Sequence, residues 1–125
     1  MGELLFEAET YAIIGAAMAV HSELGPYYLE AVYHEAMEIE FDDSRIPYVS
    51  QPEMRILYRG RTLRKYYIPD FVVYGHVVVE IKAFAASLND ISEKQLLNSL
   101  KCSGNRAGLL INFGRKSLEH RRFVL

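Results

Sequence analysis

The stretch from residue 67 to residue 82 restricts the fold more than any other part of the chain. It is rich in β-branched and aromatic residues, is interrupted once at Gly75, and ends in the run VVVEIK at positions 77–82. Such composition is typical of strands, and an unbroken valine run indicates a strand in the interior of a sheet. We therefore predict two adjacent strands, at residues 67–74 and 77–82, joined by a turn at Gly75.

The other elements follow from the spacing of apolar residues. Recurrence every three or four positions predicts helices at residues 3–23, 27–41 and 91–102, with Gly25-Pro26 between the first two. Further strands are predicted at 54–58, 62–65, 106–113 and 117–125. This order of two helices, four strands, one helix and two strands predicts an α/β domain. We expect a central mixed sheet flanked by helices, with residues 1–125 forming a single domain.

Composition bears on location and on binding partners. No apolar run reaches the roughly 20 residues of a membrane helix, and the only cysteine, Cys102, cannot form an internal disulfide. We therefore expect a cytoplasmic protein with no signal peptide and no membrane partner. Residues 1–50 carry ten acidic residues and one basic residue, whereas residues 51–125 carry thirteen basic and six acidic residues. This asymmetry is equally compatible with a basic face for phosphates and with ordinary solvated charges.

The charged residues of the β-rich segment have a regular geometric relation. On a strand, Glu80 and Lys82 project from one face and Ile81 from the other. If the loop around Gly75 has three residues, the antiparallel register sets Asp70 opposite Glu80, and two carboxylates and an ammonium converge. A two-residue loop would set Asp70 opposite Ile81, on the other face. Three-residue loops commonly require a left-handed glycine, although usually at their last position.

This convergence indicates metal-dependent phosphate chemistry. Two facing carboxylates repel unless a cation lies between them, and Mg²⁺ prefers carboxylate, carbonyl and water oxygens. A bound ion could stabilise a phosphate and lower the pKa of a water molecule, while Lys82 would orient or deprotonate that water. The alternative is a surface hairpin in which Glu80 and Lys82 form salt bridges. The apolar strand argues against it, because burying Glu80 without a partner is costly.

Six stretches carry a resemblance to a known family: VHSELGP at 20–26, LEAVY at 29–33, PDF at 69–71, VEIK at 79–82, QLLN at 95–98 and GLLINFG at 108–114. In their order and spacing, nearly the whole chain resembles the small bacterial GxxExxY proteins of the PD-(D/E)XK nuclease superfamily. The resemblance implies a sheet flanked by helices. It also implies that Asp70 and Glu80 are ligands of Mg²⁺ or Mn²⁺, that the Ile81 carbonyl completes the coordination, and that Lys82 is the catalytic lysine.

Two helical residues gain a role from the same resemblance. Glu30 matches a glutamate that reaches the metal cluster in many superfamily nucleases, and Gln95 matches a glutamine that supports the lysine or contacts nucleic acid. The chain departs from the pattern at two positions. Tyr27 replaces the first glycine of the GxxExxY signature, and Ser99 stands where related helices often have a tyrosine.

Contacts to nucleic acid are predicted on the segment before the proposed centre. Basic side chains could bind backbone phosphates and an aromatic ring could contact a base; these residues are Arg59, Arg61, Arg64, Lys65 and Tyr67. The alternative is a charged hairpin tip that protects an edge strand from aggregation. We expect His34 and His120 to be surface residues.

The sequence thus leaves two hypotheses about function. The first is a metal-dependent nuclease acting on DNA or RNA through a metal-activated water. The second is a catalytically silent nuclease-like fold that binds nucleic acid or assembles with proteins. A homodimer is compatible with both, because a small nuclease often needs a second subunit to hold a duplex.

Overall fold

The computed structural model describes residues 6–125, apart from the side chain of Cys102. In chain order this part consists of three helices and seven strands. The helices are α1 (Glu7–Leu24), α2 (Glu30–Asp43) and α3 (Asp90–Ser103). The strands are β1 (Tyr48–Ser50), β2 (Met54–Tyr58), β3 (Arg61–Tyr67), β4 (Phe71–Val73), β5 (Val77–Lys82), β6 (Ala107–Asn112) and β7 (Glu119–Val124).

Five of the strands form the central sheet, in the order β1-β4-β5-β6-β7. β5 and β6 are parallel, whereas the other neighbours are antiparallel, so the sheet is mixed. β2 and β3 form a separate two-stranded hairpin. The predicted fold class, an α/β fold with a central mixed sheet flanked by helices, is confirmed.

Helices cover both faces of the central sheet. On one face, buried residues of α1 and α2 form a core with β4 and β5, and Tyr33, Phe71 and Val79 belong to it. On the opposite face, α3 packs its Leu96 into a second core that contains Val78. Because Val78 and Val79 belong to different cores, β5 is covered on both faces, which explains its continuous apolar sequence.

The turn between β4 and β5 has the predicted three-residue loop. Val73 pairs with Val77, and Tyr74 and Gly75 have positive φ angles of 55° and 77°. Glycine adopts this conformation without steric cost, which explains its presence in the turn. The predicted register is confirmed, and its continuation sets Asp70 opposite the glutamate of β5.

Part of the predicted strand pattern is wrong. The strand expected at residues 67–74 is divided, because Tyr67 ends β3 and β4 contains only three residues. Pro69 lies at the break, and a proline has no N–H to donate to a ladder. β1 was not predicted, since three residues are too few to show a periodicity. Five strands therefore precede α3, instead of the four expected.

The predicted helices are present with shifted boundaries. α1 corresponds to the helix expected at 3–23, of which residues 3–5 lie outside the described part of the chain. α2 begins at Glu30 instead of residue 27, because Leu29 is extended with φ −75° and ψ 159°. α3 begins after Asn89, whose side chain accepts a hydrogen bond from the Ser92 N–H. None of the described helices is long and apolar enough to cross a membrane.

A buried asparagine fixes the segment that leads from β5 to α3. Asn112 is fully buried at the end of β6, and its Oδ1 accepts the N–H groups of Phe84 and Gly114. Its Nδ2 donates to the carbonyls of Phe84 and Ala86. A Cβ at Gly114 would lie 2.4 Å from the Phe84 carbonyl oxygen, so only glycine fits. These contacts hold the connection to α3, which forms one wall of the site described next.

Candidate metal centre and the two pockets beside it

Asp70 and Glu80 lie side by side, just before β4 and near the end of β5. The Asp70 N–H donates a hydrogen bond to Glu80 Oε1 at 2.9 Å. The Ile81 N–H donates to Asp70 Oδ2 at 2.8 Å. Carboxylate oxygens thus act as acceptors just beyond Phe71–Val79, the last pair of the β4–β5 ladder. The structure brings together the two carboxylates for which the sequence predicts a metal-binding role.

The Ile81 carbonyl, the third predicted ligand, points toward the same edge of β5. In an antiparallel ladder a residue directs its N–H and its C=O to the same neighbour, and the Ile81 N–H bonds to Asp70. Continuation of the register would set Pro69 opposite Ile81. Because Pro69 has no N–H, it cannot donate to the Ile81 carbonyl.

His34 holds Asp70 in place from the α2 side. The expectation that His34 is a surface residue is wrong, since its side chain is only 14% exposed. Its Nδ1 lies 2.9 Å from Asp70 Oδ1, its Nε2 lies 2.8 Å from Ser50 Oγ, and its ring stacks on Phe71. Because an ionised carboxylate can only accept, Nδ1 donates to Asp70, and Nε2 forms a hydrogen bond with the Ser50 hydroxyl. Asp70 is therefore fixed by two donors, one from α2 and one from β5.

The charge on Glu80 is unfavourable in this environment. Burial and, second to it, the neighbouring Asp70 carboxylate raise its pKa from 4.5 to about 7. The Asp70 N–H, the Tyr67 hydroxyl and the Lys82 ammonium act in the opposite direction without compensating. A cation beside the two carboxylates would favour the ionised form of Glu80.

A pocket of about 490 Å³ opens at Asp70 on the α2 side of the site. Its charged or ionisable lining residues are Glu30, His34, Glu35, Glu38 and Asp70, and we call it the acidic pocket. The predicted helical glutamate, Glu30, is exposed in this pocket together with Asp70. His34 lies four residues after Glu30, which places both on one helix face. That spacing is the sequence signal that could have identified His34.

A second pocket, of about 440 Å³, opens at Glu80 on the opposite side. The hairpin contributes Met54, Ile56 and Tyr67 to one wall, and β5 contributes Glu80 and Lys82 to the floor. The other wall is α3, with Gln95, Asn98 and Ser99. We call it the α3 pocket. Lys82 and Gln95, two predicted catalytic residues, therefore share one pocket with Glu80, whereas Asp70 and Glu30 line the other.

Two hydroxyl groups are buried in the α3 pocket. Tyr67 Oη lies close enough to the Glu80 carboxylate and to Ser99 Oγ for both to shift its pKa, although neither hydroxyl forms a hydrogen bond of normal geometry within the described residues. Burial and the nearby charge of Glu80 raise the pKa of the Tyr67 hydroxyl above its usual range. The two hydroxyls therefore form a buried polar cluster with Glu80.

The residues present fit a metal ion that shares its coordination with substrate. No three His, Cys, Asp or Glu side chains converge on one point in the described part of the chain. Mg²⁺ does not require such a cage, because it is usually held by one or two carboxylates together with water and substrate phosphate oxygens. Asp70, Glu80 and the Ile81 carbonyl offer oxygen donors of the kind that Mg²⁺ and Mn²⁺ prefer.

The β2–β3 hairpin carries the predicted contacts to nucleic acid. Four of them are exposed basic residues at and after its turn: Arg59, Arg61, Arg64 and Lys65. The Arg59 guanidinium lies 5.4 Å from the centroid of the Tyr58 ring, and Arg55 lies 4.9 Å from that of Tyr66. Tyr67, the fifth predicted contact, is at the base of the hairpin and turns its hydroxyl into the α3 pocket. The hairpin therefore joins a basic exposed ribbon to the wall of that pocket.

A mixed five-stranded sheet with a paired aspartate and glutamate and a nearby lysine beside its central strands defines a nuclease-like class of α/β proteins. The family model of the PD-(D/E)XK nuclease superfamily matches residues 7–123. The chain belongs to this superfamily. No curated protein and no solved structure matches the chain significantly.

Proposed function

We propose that this protein is a Mg²⁺- or Mn²⁺-dependent nuclease that hydrolyses phosphodiester bonds of DNA or RNA. The observation that carries the proposal is the contact of Asp70 with Glu80, whose pKa is raised to about 7. Two adjacent, partly buried carboxylates cost free energy unless a cation compensates them. A role as metal ligands accounts for that cost, and the superfamily supports it, because nucleases of this fold typically use divalent ions.

Asp70, Glu80 and the Ile81 carbonyl are the proposed metal ligands, and Glu30 assists from α2. A divalent ion held there would polarise a phosphate oxygen and make a bound water more acidic. His34 keeps the Asp70 carboxylate in one orientation through its Nδ1–H. Glu80 is held by the Asp70 N–H, so both carboxylates are oriented before substrate arrives.

Lys82 is the proposed catalytic cation. It lines the α3 pocket beside Glu80, where its ammonium would hold the attacking water and stabilise the negative charge that develops on the phosphate. Gln95 lines the same pocket and is proposed to support Lys82 or to contact the nucleic acid. The basic residues of the hairpin are proposed to bind backbone phosphates.

The GxxExxY branch is the proposed subfamily, and the helix that carries its signature supports this assignment. Glu30 begins α2 and is exposed in the acidic pocket. Tyr33 is fully buried, and its hydroxyl donates to the Gly25 carbonyl and accepts the Tyr28 N–H. The glutamate of the signature is thus exposed at the proposed site, while the tyrosine stabilises the connection between α1 and α2 through its hydrogen bonds.

A cleavage assay tests this function. Labelled single- and double-stranded DNA and RNA would be incubated with wild type, Lys82→Ala and Lys101→Ala in Mg²⁺ or Mn²⁺. We expect Lys82→Ala to lose at least about 100-fold in rate, because a group that stabilises developing charge is removed. Lys101→Ala, which removes an exposed lysine of α3, is expected to cleave normally. Absence of cleavage by wild type on every substrate would favour the catalytically silent module.

Three further properties are proposed with this function. Residues 1–125 form a single domain, the protein acts in the cytoplasm, and two copies associate when the substrate is a duplex. A homodimer would place two metal centres against two strands. Light scattering during size-exclusion chromatography, with and without duplex DNA, tests the association; a monomer in both conditions would contradict it.

A further inference from the structure

We infer that the α3 pocket binds a single unstacked nucleobase of the substrate, next to the phosphate that Lys82 contacts. The inference rests on the proposed function and adds a substrate class to it. The nuclease would act on single-stranded nucleic acid, or on ends and junctions where a base can leave the stack, in preference to continuous duplex.

The walls of the pocket match the surface of a base. Met54 and Ile56 of the hairpin offer apolar and polarisable contacts, and the Tyr67 ring adds an aromatic surface. A base has two apolar faces and a polar edge, and base–aromatic stacking contributes substantially to single-strand binding. The volume of about 440 Å³ lies within the range of roughly 300–1,000 Å³ typical of small-ligand sites.

The polar groups of the pocket match the edge of a base. The exposed polar side chains of the pocket lie on its α3 wall. Asn98 and Gln95 line the same wall, and each amide offers a donor and an acceptor. Paired donors and acceptors are the groups that recognise base edges. A base edge could pair with these two exposed amides.

The position of the pocket selects a nucleobase over other ligands with a flat apolar body. Glu80 and Lys82 form the floor, so the pocket is continuous with the proposed site of phosphodiester cleavage. The exposed arginines of the hairpin lie on the strand that also contributes Tyr67 to the pocket. A nucleic-acid strand whose phosphate lies at Lys82 therefore has a base within reach of the pocket. A base stacked within a duplex has to be extruded to enter it.

Binding of matched probes tests the inference without any cleavage. The probes are a labelled single-stranded decanucleotide and the same backbone without bases, each titrated in Ca²⁺ and in EDTA with fluorescence anisotropy as the readout. Wild type is expected to bind the normal strand about tenfold or more tightly than the abasic strand. No preference of wild type for the normal strand would overturn the inference.

Variants assign the preference to this pocket. Ser99→Tyr fills the cavity and is expected to bind both strands with the affinity of the abasic one. Ile91→Tyr adds the same ring at an exposed position of α3 and is expected to keep the preference. Asn98→Ala, at an exposed position at the pocket, avoids any folding defect of Ser99→Tyr and is expected to lose several-fold of the preference. Ser99→Tyr or Asn98→Ala with the full wild-type preference would contradict the inference.

Three additional outcomes separate the possible failures. A mononucleotide that binds as tightly as the decanucleotide would assign the pocket to free nucleotides and overturn a role in substrate binding. If wild type cleaves nucleic acid but shows no base preference, the inference fails and the nuclease proposal stands. A base preference that depends on Ser99 and Asn98 in a protein that never cleaves would reject the nuclease and retain the base pocket.

Discussion

The acidic pocket and the α3 pocket lie beside the same pair of carboxylates, yet their polar groups differ in how regularly they are hydrogen-bonded. In the acidic pocket, Asp70 is hydrogen-bonded to His34, which is itself hydrogen-bonded to Ser50. In the α3 pocket, the Tyr67 hydroxyl acts on the pKa of Glu80 but forms no hydrogen bond of normal geometry among the described residues. The acidic pocket thus holds its carboxylate by regular hydrogen bonds, whereas the α3 pocket leaves the charge of Glu80 poorly compensated.

Glu80 lines the α3 pocket, and it accepts fewer hydrogen bonds than Asp70 does. Asp70 is fixed by two donors, one on each carboxylate oxygen, while Glu80 accepts only the Asp70 N–H by normal hydrogen-bond geometry among the described groups. Its pKa is raised to about 7, which means that folding makes its charge unfavourable. The contrast leads to three tests, which range from an effect on the order of 3 kcal/mol to one near 1 kcal/mol.

Neutralising Glu80 is expected to stabilise the metal-free protein at high pH. Folding raises the Glu80 pKa from 4.5 to about 7, so the native state retains a proton that the unfolded chain releases. Glu80 therefore favours folding below pH 4.5, and this contribution is lost as the pH rises through 7. The pKa difference corresponds to on the order of 3 kcal/mol. Glu80→Gln should gain stability of that order at pH 8, measured by urea unfolding in EDTA.

The control for this experiment is Glu35→Gln, at an exposed position of α2, which should follow the wild-type pH dependence. Saturating Mg²⁺ is expected to stabilise the wild type at pH 8 and to have little effect on Glu80→Gln. Identical pH dependence of wild type and Glu80→Gln would show that the burial of Glu80 has no energetic consequence, and the contrast between the pockets would fail.

Removing His34 is expected to weaken metal binding without abolishing it. His34→Ala deletes the donor that orients Asp70, and residues that orient a metal ligand typically contribute about 10- to 100-fold in affinity. We expect about a tenfold increase in the Kd for Mn²⁺, measured by calorimetry, with His120→Ala at an exposed position as the control. An unchanged Kd would mean that the acidic pocket does not prepare Asp70 for a metal.

Replacing a serine by alanine is expected to have opposite effects on stability in the two pockets. Ser50→Ala removes the partner of His34 Nε2 and should destabilise the protein by about 1 kcal/mol. Ser99→Ala removes a buried hydroxyl without a partner of normal geometry and should stabilise it by about 1 kcal/mol, including about 0.5 kcal/mol from helix propensity. Urea unfolding of both variants at pH 7 provides the comparison. Destabilisation by Ser99→Ala would show that its hydroxyl is already satisfied.

The parts of the fold that the sequence predicts are those governed by local periodicity. The helices, the hairpin register at Gly75 and the buried strands β5 and β6 follow from spacing and composition. Pro69 divides the strand predicted at residues 67–74, because a proline cannot donate a hydrogen bond to the ladder. β1 could not be predicted, because a three-residue strand is defined by its partner β4 and not by its own pattern.

The site is predictable only where its residues share one hairpin. Asp70, Glu80 and Ile81 are brought together by the register of β4 and β5, which the loop length determines. His34 is 36 residues from Asp70, and its contact depends on how α2 packs on the sheet. The division into two pockets likewise depends on the positions of α2, α3 and the hairpin, which no local pattern specifies.

Calorimetric titration of Mn²⁺ tests the central claim that Asp70 and Glu80 form a metal centre. The titration compares wild type with the double variant Asp70→Asn/Glu80→Gln at pH 8, where the Glu80 pKa of about 7 leaves its carboxylate mostly ionised. It is repeated in the presence of a nuclease-resistant phosphorothioate oligonucleotide, so that a site completed by substrate is also detected. We predict binding of Mn²⁺ to the wild type and its loss in the double variant. Equal binding by both proteins, or no binding by the wild type even with the oligonucleotide, would contradict the claim.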